Sequence, residues 1–415
     1  VRLAVLGSDK LVTPTNAILT EVFTGILPDE IYILSEDSKN QQKIPLISQM
    51  LSLFGKEVKV KSEVVGEGVE KWRNYVSNLD VDIADITPGR KYMAISVYAY
   101  SKANEVRYVY IKNESQGYKV FGYIPFDQVK VIDVRQGTQV PFNPIDVKKG
   151  KDTYDLSDDS IRALINIYSL LGEVKIVIDG IEVNDLREYV KESEAYKRGE
   201  NEVLLCATRA GLLRYKEEED IVKKARQGSF FVADTNVYIK LGTRISNLIY
   251  DREYGRRLLP TRTIFNEIDN YAKSTQKGEK QVIFQLASYT FRSLHAPPLA
   301  TESNNVGDVE FVNETKKLKG ELDHVTLITA DQGVANSAKS RGVDVIFLDK
   351  LTDGNLDGIG EFLHCLSIFR KRIEIKVNNK SMGEILNQKV IDPKAKVKDH
   401  TNYAYLLELE EQFLK

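Results

Sequence analysis

Two cysteines, four histidines, three methionines and one tryptophan in 415 residues remove several classes of chemistry at once. Cys206 and Cys365 lie 365 − 206 = 159 residues apart, a spacing that makes neither a zinc framework nor a disulfide scaffold. The expectation is two reduced core thiols in a cytoplasmic protein. With so few histidines, any metal has to be held by carboxylates. Charge of one sign is lacking too: 58 basic residues face 60 acidic ones, a net of −2, which excludes a globally basic nucleic-acid coat and leaves room for local patches. Long apolar runs are missing. The longest uncharged stretch, 44–55, is interrupted by Pro45, Ser48, Gln49 and Ser52 and falls short of the roughly 18 residues of a membrane span, so no membrane partner is expected. The first residues, VRLAVLGSDK, open on a strand-like run and not on the charged, apolar and cleavage segments of a leader.

What is present suits ordinary soluble cores: 42% hydrophobic and 28% charged residues. At roughly 150 residues per domain the length suggests about three domains. Over 1–135, β-rich runs at 2–6, 30–34, 57–60 and 81–86 alternate with segments of helical spacing, and further strands are expected at 106–111 and 119–124. That alternation reads as βαβ units with a mostly parallel sheet, a Rossmann-like domain. Residues 136–228 read as a linker, with a helix capped by Ser157, a hairpin turning at Asp179-Gly180, and charged connector helices. The helix and hairpin leave open a winged-helix fragment or a structural insertion. A second α/β pattern fills 229–350. The extension 351–415 has no assigned role; between Arg370 and Lys398 it carries nine basic and three acidic residues. The fold class expected is therefore α/β: an N-terminal Rossmann-like sheet, a helical connector, a second α/β domain and a C-terminal appendage.

Four carboxylates of the second α/β unit stand where a metal site would need them. Asp234 ends the strand SFFVAD and Asp331 ends TLITAD, and in a parallel sheet such ends share one edge. Glu267 lies on the helix expected after Pro260, and Asp308 starts another. Two like charges about 4 Å apart repel by roughly 4 kcal/mol at an effective dielectric of 20. A fold that gathers several must protonate some or bind a cation, and oxygen donors suit Mg²⁺ or Mn²⁺. Taken singly, each acid is more often a helix cap or a solvated surface group. Arg244, Arg252, Arg256, Arg257 and Arg262 flank the unit, either as an RNA-backbone groove or as a salt-bridged face with Asp251 and Glu253.

In the first unit, VDIADITPGRKYMA runs strand, turn, helix, with Thr87 as expected N-cap and Pro88 as first helical residue. Gly89 admits a close ligand, Arg90 and Lys91 add cations, and a helix N-terminus attracts anions. The loop after the first strand offers Ser8 and Lys10 on the same edge. Neither a dinucleotide fingerprint nor a P-loop is present.

The order ADTN … PTRTIFNEI … GDVEFVNET … LITADQGVANSAKSRGVDVIFL, over 229–350, resembles the PIN nuclease family of metal-dependent ribonucleases. The resemblance implies metal ligands at Asp234, Glu267, Asp308 and Asp331, with Asn236 and Thr329 in support. Gln332 and Gly333 stand where many PIN domains carry another acid, so the number of metals stays open. The DITPGRKYMA stretch, after the fourth strand of 1–135, resembles the second signature of CARF domains, the sensors of type III CRISPR ancillary proteins. It implies a cyclic oligoadenylate ligand, cyclic tetra-adenylate suiting the two-fold symmetry of a homodimer, touched by Ser8, Lys10, Thr87, Gly89, Arg90 and Lys91. Together the two resemblances imply a ligand-regulated, metal-dependent endoribonuclease of antiviral defence acting on RNA. A non-enzymatic regulator with a degenerate PIN unit, or a PIN nuclease independent of the first domain, remain the alternatives.

Overall fold

The computed structural model describes residues 1–38, 41–112, 121–195, 202–249, 257–274, 278–388 and 391–414. By contacts the chain divides into two compact units, one of Val1–Val177, Glu374–Glu384 and Lys394–Lys415, the other of Ile178–Ile373 and Ile385–Pro393. Among the described residues no helix is long and apolar enough to cross a membrane.

The first unit is built on a seven-stranded sheet of β1 (Arg2–Leu6), β2 (Glu30–Ser35), β3 (Lys59–Val64), β4 (Ile83–Asp85), β5 (Glu105–Ile111), β6 (Val129–Asp133) and β7 (Thr138–Val140), in the order β3-β2-β1-β4-β5-β6-β7. The first five are parallel, whereas β6 and β7 pair antiparallel. This is the Rossmann-like, parallel-rich sheet expected from the βαβ pattern. Its centre is apolar for the usual reason: Leu3, Val5, Leu6, Ile31, Ile33 and Val106 lie in strands covered on both faces. The strand expected at 119–124 does not form. Residues 121–124 turn, their Phe121, Tyr123 and Ile124 being drawn into the core individually, while 119 and 120 lie outside the described residues.

Of a second, six-stranded sheet this unit carries β9 (Val174–Ile178), β16 (Ile373–Val377), β17 (Lys380–Ile385), β18 (Ala395–Asp399) and β8 (Tyr154–Leu156), in that order. The helix Asp158–Leu171 does start on Ser157, whose hydroxyl accepts from the Ser160 N–H. Asp179 and Gly180 turn the chain with φ of 51° and 82° between β9 and β10 (Ile181–Val183). The C-terminal tail is thus part of the first unit's core: Tyr168 donates to Asp399 at 2.6 Å and Tyr154 to Asn402 at 2.6 Å.

The second unit carries a three-stranded parallel sheet, β12 (Phe230–Ala233), β13 (Val325–Thr329) and β14 (Asp344–Phe347), plus an antiparallel pair of β11 (Leu213–Tyr215) and β15 (Leu351–Asp353). Helices enclose the parallel strands, and Phe231, Val232, Leu327 and Ile328 are sealed among them. The expectation of reduced thiols is overturned. Cys206 and Cys365 form a disulfide, with Cα atoms 5.6 Å apart. The helices Glu202–Ala210 and Ile359–Ile368 pack face to face and each turns its buried cysteine inward, a juxtaposition no spacing reveals.

Candidate functional site

The acidic edge of the second unit follows from strand register. β12 and β13 are neighbours with Ala233 opposite Ile328, so Asp234 leaves one strand where Thr329 ends the other. The Asp234 N–H donates to the Ile328 carbonyl at 3.1 Å. Each aspartate then caps the helix it introduces. Asp234 Oδ1 accepts from the Val237 N–H at 3.0 Å, and Asp331 Oδ1 from the Gly333 and Val334 N–H groups at 2.6 and 3.0 Å. Thr329 joins the two: its hydroxyl donates to Asp234 and accepts from the Asp331 N–H at 2.9 Å.

Asp234 is 5% exposed. Burial pushes its carboxyl up to about 7, against the hydrogen bonds from Thr329 and Val237, and the negative charges of Asp331 and Glu267 push it further the same way. Glu267 sits half-buried on the helix Arg262–Ala272, one turn beyond Thr263, and accepts from the Thr235 hydroxyl at 3.0 Å. Its carboxyl is also raised, by burial first and then by Asp308. Asp308 opens the helix Asp308–Glu321 and is exposed. The four acids therefore form a chain of electrostatic neighbours: Asp331 to Asp234, Asp234 to Glu267, Glu267 to Asp308. Among the described residues no three acidic, histidine or cysteine side chains stand close enough together to hold a metal ion as oriented. Carboxylate oxygens are the donor type that a hard divalent cation takes, and a buried acid driven toward its neutral form by burial, with two other acids adding to it, is a place where positive charge would relieve repulsion.

Asn236 is the second residue of the helix Thr235–Leu241 and, among the described residues, makes no hydrogen bond to the four acids. Thr235 is the support that sequence reasoning passed over, although it stands in the same ADTN run. Among the described flanking arginines, Arg244 and Arg257 are engaged inside the fold, as the salt-bridged alternative has it for Arg244. Arg244 binds Glu218 at 2.6 Å and the Thr208 carbonyl at 2.9 Å. Arg257 is buried, donating to the Gly228 carbonyl at 2.5 Å with its guanidinium 4.8 Å from the Phe230 ring centre. Arg262 lies over the Phe265 ring. Arg252 and Arg256, with Asp251 and Glu253, fall outside the described residues.

In the first unit the chain runs from β1 outward through β2 to β3, then returns to place β4 on the other side of β1. Ligands of open α/β sheets lie at such switch points, beyond the strands' C-terminal ends. A cavity of about 340 Å³ lies there, lined by Ser8, Lys10, Thr87, Gly89 and Arg90. Lys91 does not line it. The helix begins at Lys91, later than Thr87, because Gly89 takes φ of 86°, which no helix contains. Thr87 is not a cap: its hydroxyl accepts from the Val109 N–H of β5 at 2.8 Å, and its N–H donates to Asp85 at 2.8 Å. The Ser8 hydroxyl shapes its own loop, accepting from the Lys10 N–H and donating to the Lys10 carbonyl. A Cβ on Gly89 would come within 3.0 Å of Leu6 Cβ and 3.3 Å of the Gly7 carbonyl, so the two loops need glycine to approach.

The cavity also has a wall that sequence reasoning missed, the end of β2. Glu36 binds the Arg90 guanidinium at 3.2 Å and accepts from the Tyr92 hydroxyl, and Asp9 and Asp37 stand beside it. Its place was legible in principle, because a third parallel strand ends on the same edge. In the same unit Glu21 and Arg107 form an ion pair with side chains 1% and 4% exposed. Burial and the neighbouring Asp85 drive Glu21 well above the usual carboxylate range. No family model, curated protein or solved structure matches this chain.

Proposed function

We propose that the chain is a metal-dependent endoribonuclease regulated by a cyclic oligoadenylate. The observation that carries the reading is the meeting of the buried Asp234 with Asp331 at one edge of a parallel sheet, joined through the Thr329 hydroxyl. Asp234, Asp331 and Glu267 would hold Mg²⁺ or Mn²⁺, with Asp308 at the outer side. The bound cation lowers the pKa of a water and offsets charge developing on phosphoryl oxygens. Thr329 and Thr235 orient the carboxylates by donating to Asp234 and Glu267, and the capped helices fix Asp234 and Asp331 in place.

The regulatory half rests on the switch-point cavity, where Lys10 and Arg90 offer cations and the glycine-closed loops offer backbone to a phosphate. A two-fold symmetric cyclic tetra-adenylate calls for a homodimer that presents each cavity once per half. The ligand acts on the nuclease only through unequal affinity for two states of the protein. The second reading, a regulator with a degenerate nuclease unit, is favoured by the exposure of Asp308, whose charge reaches Glu267 alone among the four.

One assay separates these readings: a fluorescent RNA with Mn²⁺, with and without EDTA and cyclic tetra-adenylate. Asp234→Asn should abolish cleavage and leave oligoadenylate binding intact. Arg90→Ala with Lys91→Ala should abolish activation and leave basal cleavage. Metal-independent or absent cleavage by the parent would remove the nuclease reading, and cleavage indifferent to the oligoadenylate would remove the regulation.

A further inference from the structure

Of the arginines that sequence position nominated for RNA contact, Arg244 and Arg257 are consumed inside the fold, but another set of cations is not. The strand β11 and the helix Glu218–Arg226 border a groove of about 960 Å³ in the second unit, where Arg214, Lys216, Lys223 and Arg226 are all exposed. None of these four forms an ion pair among the described residues. The acids of the groove are largely spent elsewhere: Glu218 is bound by Arg244 at 2.6 Å, and Asp353 by Lys191 at 3.1 Å. Glu219 is the remaining acid along the wall. The groove therefore carries an excess of positive charge in a chain whose net charge is −2.

We propose that this groove binds the phosphate backbone of a single-stranded RNA, an inference that rests on the nuclease reading for the choice of RNA. Length argues for a chain of phosphates over a single anion. From Glu218 to Arg226 the helix advances about 12 Å at 1.5 Å per residue. Lys216 precedes one end of that helix and Lys223 and Arg226 lie toward the other, so one phosphate cannot engage both. Position argues for a strand that continues toward the acids. The Lys216 N–H donates to the Lys350 carbonyl, three residues past the end of β14, and β14 runs parallel to the β13 that delivers Asp331. One end of the groove thus lies toward the same end of the three-stranded sheet as the carboxylates. The contacts are to phosphate and carry no base preference.

The test uses the full chain carrying Asp234→Asn, so that RNA survives, in EDTA, with a labelled 20-nucleotide oligouridylate followed by fluorescence anisotropy over a KCl series. Each lost phosphate contact lowers the magnitude of the log–log salt slope by about 0.7 for a single strand. Arg214→Glu, Lys223→Glu and Arg226→Glu combined should weaken binding at least tenfold and reduce the slope by about 2, while Lys59→Glu, exposed on β3 of the other unit, should leave both unchanged. Circular dichroism and thermal melting show whether the triple variant folds; the single variants, each expected to lower the slope alone, serve if it does not. The groove is rejected if the triple variant binds as its parent does, if the parent binds no RNA, or if polyglutamate binds the groove and oligouridylate does not, which would make the partner an acidic protein. RNA binding through these residues in a chain that never cleaves would retain the groove and remove the nuclease reading.

Discussion

The Thr329 hydroxyl donates to the Asp234 carboxylate while accepting from the Asp331 backbone, so a single side chain at the end of β13 ties together the two acids that leave neighbouring strands. Thr329 is fully buried. Replacement by valine keeps the volume and removes both bonds, leaving an under-satisfied carboxylate at a cost of about 1–3 kcal/mol. Because the Thr329 bond opposes the burial of Asp234, its loss drives that carboxyl further upward. Thr329→Val should therefore need more Mn²⁺ for half-maximal cleavage and shift the rising limb of the pH–rate profile to higher pH. Thr329→Ser should restore both. A valine variant with the parent's metal requirement would show that the hydroxyl only stabilises the strand end.

These strand ends were legible because SFFVAD and VTLITAD are nearly continuous apolar runs closed by an acid, the pattern of a strand buried on both faces. The helix carrying Glu267 was legible from Pro260 onward, whereas Thr235 was hidden by its ordinary chemistry. The basic tail stayed without an assigned role for a physical reason. In β16 and β18, Ile373, Ile375, Val377, Ala395 and Val397 are buried and Lys376, Lys396 and Lys398 alternate with them on the open face. That period-two pattern was present, but a count of net charge averages it away. The return of this tail to the first unit depends on long-range strand pairing, which local pattern does not encode. Likewise, the contacts that consume Arg244 and Arg257 exist only once the chain has folded.

The disulfide makes a direct prediction. Cys206 and Cys365 are 0% and 4% exposed, and their bond closes a span of 159 residues. Thiol titration of the unreduced protein in guanidinium should find no free thiol, and two after reduction. Cys206→Ala with Cys365→Ala should lose about 2–5 kcal/mol of stability, because the unfolded chain regains the freedom the cross-link removed. Two reactive thiols in the unreduced, denatured protein would mean that the pair stays open where the protein is made, as in a reducing cytosol.

Glu410 contributes to the pH dependence of the first unit's stability. It ends the helix Tyr403–Glu410, is 0% exposed, and neither carboxyl oxygen has a hydrogen-bond partner among the described residues. Burial first, and then the negative Glu411, raises its pKa well above 4.5. The folded state therefore binds a proton that the unfolded state releases near pH 4.5. Its contribution to stability is complete below that pH and is lost as pH rises toward the folded value, at about 1.4 kcal/mol per unit. Glu21 and Asp85 are raised by burial as well and act in the same direction, so the parent alone cannot isolate the effect. Comparison with Glu410→Gln can. The amide leaves buried donors unpaired, at a cost of about 1–3 kcal/mol that does not vary with pH. Melting temperatures measured from pH 5 to pH 9 should favour the parent at the acidic end and the glutamine variant at the alkaline end, with the curves crossing between. Parallel curves would mean that Glu410 has the same proton affinity folded and unfolded, and that its two buried oxygens are satisfied by water or an ion.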